Sequence, residues 1–278
     1  MLQAAQTNEF CRVYDLQAAR NSAHGYEPAP HQQLALEKLN AWYDAFTGPQ
    51  IGGILVLPTG GGKTFTAMHF ICRRALSDGY KVLWLAHTHH LLEQAFYCLG
   101  GLVGRIAEPR SDLRVRVVSG TPGHSKVSEI KSSDDFIVGT VQTIWSALRN
   151  NHPRLCDFLN SAKGKLFLVV DEAHHSPAPT YRQMVGQLRE RFPALPLLGL
   201  TATPKYMDER KSGWLTKLYP QGILNPGTRY QVSSKRVSRP QISMQGRTPS
   251  VSTPLRGPAF LAAIRLRPAF AEIRWQAR

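Results

Sequence analysis

Three short segments carry residues whose types and spacing can do chemistry. The first is Pro58-Thr59-Gly60-Gly61-Gly62-Lys63-Thr64. Its glycines let backbone N–H groups curl round a phosphate with no Cβ in the way. A helix starting there adds donors and a favourable dipole for the anion. Lys63 is placed to reach the β- and γ-phosphates of a nucleotide, and the Thr64 hydroxyl to bind Mg²⁺. The generic spacing asks for glycine at position 57, where this chain has Leu57. The bland alternative is a glycine-rich turn with an exposed lysine. The second segment, Leu166-Phe167-Leu168-Val169-Val170-Asp171-Glu172-Ala173-His174-His175, is an apolar run ending in two acids. Asp171 there can hold Mg²⁺, and Glu172 can orient and deprotonate an attacking water. Its bland alternative is an acidic surface turn. The third, Leu198-Gly199-Leu200-Thr201-Ala202-Thr203-Pro204, ends in two hydroxyls able to bridge a nucleotide to another surface.

Positioning these residues needs strands that end where the chemistry begins. Residues 52–57, 81–86, 114–118, 136–139, 166–170 and 195–200 read as short apolar strands, and helical patterns lie between most of them. Apolar strands alternating with helices predict a parallel sheet covered on both faces. In such a sheet ligands collect at the carboxyl ends of the strands. A helix is expected from about Gly62, turning Phe65, Met68, His69, Ile71 and Cys72 to the core, and another over residues 91–99. Residues 30–46 read as an amphipathic helix with Leu34, Leu36, Leu39, Trp42, Tyr43 and Phe46 on its apolar face. Trp42, Trp84 and Trp145 are expected in the core. The histidines at 87, 89, 90, 174 and 175 lack a cysteine or carboxylate at ligand spacing, which argues against a metal cluster.

Charge narrows the partners. The 278 residues carry a net charge of +15, which favours polyanions, above all nucleic acid. Residues 225–278 hold ten basic residues and one acidic, so most of the surplus sits there. This Arg/Pro/Ser-rich segment is expected to be a largely disordered tail. No apolar run is long enough for a membrane span, and no secretory signal opens the chain. Four scattered cysteines fit a reducing, cytoplasmic setting.

The three segments, in this order, resemble motifs I, II and III of superfamily 2 helicases of the DEAD/DEAH-box kind, where a residue other than glycine at position 57 is usual. The Asp-Glu-Ala-His-His form is most similar to the group of type III restriction subunits and UvrB-like helicases. The resemblance implies a single RecA-like P-loop NTPase domain over residues 25–224, preceded by an extension at 1–24 and followed by the tail. It implies ATP and Mg²⁺ as cofactors. Thr59, Gly60, Gly61, Gly62, Lys63 and Thr64 would hold the nucleotide, and Asp171 and Glu172 would act on it. Gln32 would read the adenine edge, with Tyr26 against the base; Ala29 stands where the family has arginine. His174 would couple motif II to Thr201 and Thr203. His87, Thr140 and Gln142 would touch nucleic acid, which the resemblance points to as DNA.

The family works with two such domains, and residues 225–278 are too few for a second. The expectation is a truncated helicase, with a frameshift near residues 224–225, that binds ATP but is deficient in unwinding unless another chain supplies the missing half. The rival reading is an inert nucleic-acid-binding or regulatory fragment. A complete P-loop ATPase outside the helicases is a lesser alternative.

Overall fold

The structure, a computed structural model, describes residues 9–22, 27–46, 48–203 and 209–224. Tyr26, Pro204 and the basic segment 225–278 lie outside these. Seven strands make one sheet: β1 (Cys11–Asp15), β2 (Gly52–Val56), β3 (Lys81–Ala86), β4 (Asp112–Val118), β5 (Phe136–Thr140), β6 (Leu166–Asp171) and β7 (Leu197–Thr201). Their order is β1-β4-β5-β3-β6-β7-β2. Strands β2 to β7 pair in parallel. The parallel sheet expected from the sequence is present, with one addition. Strand β1 pairs antiparallel with β4, Cys11 opposite Arg116 and Asp15 opposite Asp112.

The helices are α1 (Leu16–Ser22), α2 (Pro30–Asp44), α3 (Lys63–Ile71), α4 (His89–Gly100), α5 (Val141–Arg149), α6 (Pro153–Ser161), α7 (Pro179–Arg191) and α8 (Glu209–Leu218). They cover both faces. Side chains alternate along a strand with period 2, so each inner strand feeds two cores. In β3, Val82, Trp84 and Ala86 pack with α1–α4, while Leu83 and Leu85 pack with α5–α7. Strand β6 divides the same way, Phe167 and Val169 to one side and Leu166, Leu168 and Val170 to the other. This double burial is why these strands read as continuous apolar runs. Trp84 is fully buried and Trp42 nearly so, while Trp145 is half-buried.

One side chain is placed differently from expectation. Leu34 is 42% exposed. The buried stripe of α2 runs through Ala35, Leu36, Leu39, Trp42 and Tyr43, and Leu34 sits one residue before it, a rotation of about 100° away from the core.

The parallel strands end together. Val56 lies beside Thr201, Asp171 beside Leu200, and Ala86 beside Thr140. The loop after β2, the acids after β6 and the hydroxyls of β7 therefore share one edge of the sheet, the ligand end of an open α/β fold.

Candidate nucleotide site

The loop after β2 turns twice through the left-handed region, Gly60 at φ 78° and Gly62 at φ 80°. The Gly61 amide donates to the Pro58 carbonyl at 2.9 Å, closing the turn. Gly62 then caps α3, whose first residue is Lys63. The leading amides of a helix have no partners within it, so those of α3 open toward the cleft. Leu57, at the position where the generic motif has glycine, is fully buried in the core shared with α1–α4.

Gln32 is 6% exposed and ties α2 to this loop. Its Oε1 accepts from the Ala29 amide at 3.0 Å and its Nε2 donates to the Gly61 carbonyl at 3.3 Å. His31 Nε2 also meets the Gly61 carbonyl, at 3.1 Å. Both ends of the Gln32 amide are thus engaged by backbone.

Across the cleft, Lys63 Nζ lies 3.7 Å from Glu172 Oε1. Asp171 is 2% exposed. Its Oδ1 accepts from the Glu172 amide at 2.9 Å, and among the described residues Oδ2 has no hydrogen-bond partner. Burial raises its carboxyl to about 6; the nearby Glu172 charge adds to this, while the Glu172 amide and Lys63 oppose it. A buried carboxylate with a free oxygen, facing the amides and the Thr64 hydroxyl of α3, fits a divalent cation held by Thr64 and Asp171. Glu172 itself sits at φ 51°, a left-handed conformation that costs a non-glycine residue about 1–2 kcal/mol. Such outliers gather at functional sites.

Glu172 Oε2 lies 3.1 Å from His174 Nδ1, which lies 3.2 Å from Thr201 Oγ1. Thr201 Oγ1 accepts from the Thr203 amide at 3.1 Å. Thr203 therefore joins through its backbone, its side chain being exposed. Lys63, Glu172, His174, Thr201 and Thr203 form one connected set.

The cleft encloses about 380 Å³. Pro58, Thr59, Gly60, Gly62, Thr64 and Phe65 line one side of it, together with Lys63, Asp171 and Glu172; Leu91, Gln94 and Cys98 of α4 line the rest. Sequence reasoning did not single out those three as lining; their i, i+3, i+7 spacing on one helix face is the signal that finds them. Burial pushes the Cys98 thiol up to about 12, so it is no nucleophile at neutral pH. A larger cavity, about 670 Å³ beside Arg116 and Arg154, is remote from the phosphate loop and from the motif acids.

The residues expected to meet nucleic acid are spread along the same sheet edge. The Thr140 hydroxyl donates to Thr143 Oγ1 at 2.8 Å and accepts from the Thr143 amide at 3.3 Å, capping α5. Gln142 is exposed on that helix. His87 is half-buried, its Nε2 2.6 Å from the Tyr181 hydroxyl. Among the described residues no cluster of metal-ligating side chains is present, and no helix is long and apolar enough to cross a membrane.

Residues 25–206 match the family described as type III restriction enzyme, res subunit. The Saccharomyces cerevisiae protein IRC3, whose name describes an ATP-dependent helicase, is 28% identical over 178 residues, covering 60% of this chain and 23% of that protein. This chain thus spans about a quarter of that relative's length. The Hef helicase domain of Pyrococcus furiosus superposes with a TM-score of 0.50 and 26% identity, over 69% of this chain and 36% of that chain. The UvsW helicase of bacteriophage T4 aligns at 16% identity and TM-score 0.49, over 75% and 65%. With the loop of Lys63 facing Asp171 and Glu172 across a RecA-like sheet, the chain belongs to the family of the type III restriction enzyme res subunit and carries its helicase-type ATP-binding domain.

Proposed function

We propose that the chain binds ATP with Mg²⁺ in this cleft and that hydrolysis there drives movement on nucleic acid, DNA being the substrate. The observation that carries the reading is the Lys63–Glu172–His174–Thr201 connection. Phosphoryl transfer needs positioning and charge neutralisation more than covalent chemistry. The α3 amides and Lys63 would hold the β- and γ-phosphates, and Thr64 and Asp171 would hold the cation that neutralises them. Glu172 would take the proton of the attacking water. When phosphate oxygens draw Lys63 away, Glu172 rests on His174, which passes the change to Thr201 and Thr203. Gln32 would turn from the Gly61 carbonyl to the adenine edge. Helicases of this kind pair such a domain with a second RecA-like half.

Steady-state ATP turnover, with and without single- and double-stranded DNA, tests the proposal. Turnover that rises with DNA and falls at least 100-fold in Glu172→Gln supports it. ATP binding abolished by Lys63→Ala, without turnover, would support the nucleotide site and refute hydrolysis by these residues alone. DNA binding with no ATP binding would leave the inert nucleic-acid-binding fragment as the correct reading.

A further inference from the structure

We propose that Tyr181 is a positioning residue: it clamps His87 against His175, and this stack carries the coupling between nucleotide and nucleic acid. The inference rests on the function proposed above and concerns the regulation of that same site.

Tyr181, on α7, is 2% exposed. Its hydroxyl lies 2.6 Å from His87 Nε2. A buried phenol needs a hydrogen-bond partner, and the His87 ring supplies it. Burial and the neighbouring His175 and His174 push the His87 imidazole down to about 4, so it is neutral at pH 7 and offers an acceptor nitrogen. Burial pushes the Tyr181 phenol upward, so it keeps its proton, and the bond joins two neutral groups at pH 7.

The clamped ring stands edge-on to His175, centroids 4.1 Å apart at 76°. His175 lies 4.1 Å from His174, and His174 meets both Glu172 and Thr201. Five side chains from Glu172 to Tyr181 are thus in unbroken contact. They join the loop after β6, the end of β3, and α7, with β7 touching through Thr201.

Each end of the stack has a reason to move. At the nucleotide end, Lys63 holds Glu172 at 3.7 Å without a close hydrogen bond. A triphosphate gives Lys63 a stronger, charge-assisted partner, and Glu172 is then left to His174. At the other end, His87 directly follows β3 and precedes Thr88, the N-cap of α4. A displaced His87 re-aims the start of α4, where His89 and His90 are exposed at the nucleic-acid edge. Without the Tyr181 hydroxyl, the His87 ring has no anchor on α7, and a shift at His175 dissipates. Coupling of this kind is reciprocal and is measured as a ratio of affinities.

The test uses the full chain and does not depend on turnover. The affinity of a labelled 20-nucleotide oligothymidylate is measured by fluorescence anisotropy with and without AMP-PNP and Mg²⁺. The wild-type ratio is expected to be about fivefold or more. In Tyr181→Phe, which keeps the ring, each ligand alone should bind within about twofold of wild type while the ratio falls to near one. A merely structural role would lower both affinities and leave the ratio unchanged. His175→Gln breaks the stack from the other side and should lose the same factor, which covers the case of a poorly folded Tyr181 variant. A full ratio in Tyr181→Phe overturns the proposal. So does a wild-type ratio of one with both ligands bound, and that result leaves the proposed function standing. Failure of the wild-type chain to bind either ligand would sink both.

Discussion

Gly62 sets up a sharp comparison with Gly60, two residues away in the same loop. Both adopt left-handed backbone, at φ 80° and 78°. Alanine at either site pays about 1–2 kcal/mol for that conformation. Their surroundings differ. A Cβ on Gly60 would meet nothing within 4 Å, whereas one on Gly62 would collide with Gln32 Nε2. Gln32 is buried, so it can yield only by giving up its bonds to the Gly61 carbonyl and from the Ala29 amide. At about 1 kcal/mol each, those bonds add about 2 kcal/mol. Gly60→Ala should therefore cost about 1–2 kcal/mol and Gly62→Ala about 3–4 kcal/mol. For a domain of this size the difference is about 4–8 °C in Tm. Thermal unfolding followed by circular dichroism reads it directly. Adding Gln32→Ala to Gly62→Ala should be non-additive by about 2 kcal/mol, since the clash is already gone. Equal Tm values for the two glycine variants would refute the claim that Gln32 is locked against the phosphate loop.

Three further outcomes follow from buried polar groups. His69 is 3% exposed, neither ring nitrogen is hydrogen-bonded among the described residues, and burial, with Arg105 and Arg73, holds its imidazole down at about 4. The unfolded chain, with an ordinary histidine near 6.5, then binds more protons than the folded one between those values. His69 alone should withdraw up to about 3 kcal/mol of stability as pH drops from 6.5 to 4; in urea titrations at several pH values His69→Leu should make the slope shallower by that share, leaving the share of His87, also held at about 4. Arg116 pairs with Asp134 at 2.7 Å, both side chains buried. Arg116→Met should cost about 3–5 kcal/mol by stranding the carboxylate, and Asp134→Leu in the same chain should recover part of it. Thr140→Ala should lose about 1 kcal/mol as an N-cap of α5. A loss of oligonucleotide affinity larger than that variant's structural cost would show the hydroxyl also meets the strand.

The sheet was legible where local pattern and tertiary burial agree. Residues 81–86 and 166–170 are apolar on both faces because both faces are covered, and a run of that kind needs no distant information. Strand β1 was not legible: Cys-Arg-Val-Tyr-Asp buries none of its residues fully, and only pairing with β4, about a hundred residues away, makes it a strand. Leu34 misled because an apolar residue beside a helical stripe looks like part of it until the stripe's direction is known. The phosphate loop and the two acids were visible as motifs because their chemistry is held in consecutive residues. The Tyr181–His87 bond was not, since nothing in either neighbourhood names the other, 94 residues apart. The engagement of Gln32 with the Gly61 carbonyl was hidden for the same reason.

Strand β2 sits at the end of the sheet order, next to β7. On its other side Ile54 bonds to the backbone of Gly222 and Leu224. Gly52 pairs with Leu197, so both flanks of the strand that carries the phosphate loop come from much later in the chain. On the ribosome, at about 5–20 residues per second, β2 waits roughly 7–30 s for its first neighbour. During that interval Gly53-Ile54-Leu55-Val56 has no sheet to join, and the loop after it has no fixed anchor. On the proposed function, the nucleotide site of a nascent chain therefore stays unassembled until β7 and residues 222–224 emerge, and chaperone contacts should concentrate on this early apolar segment.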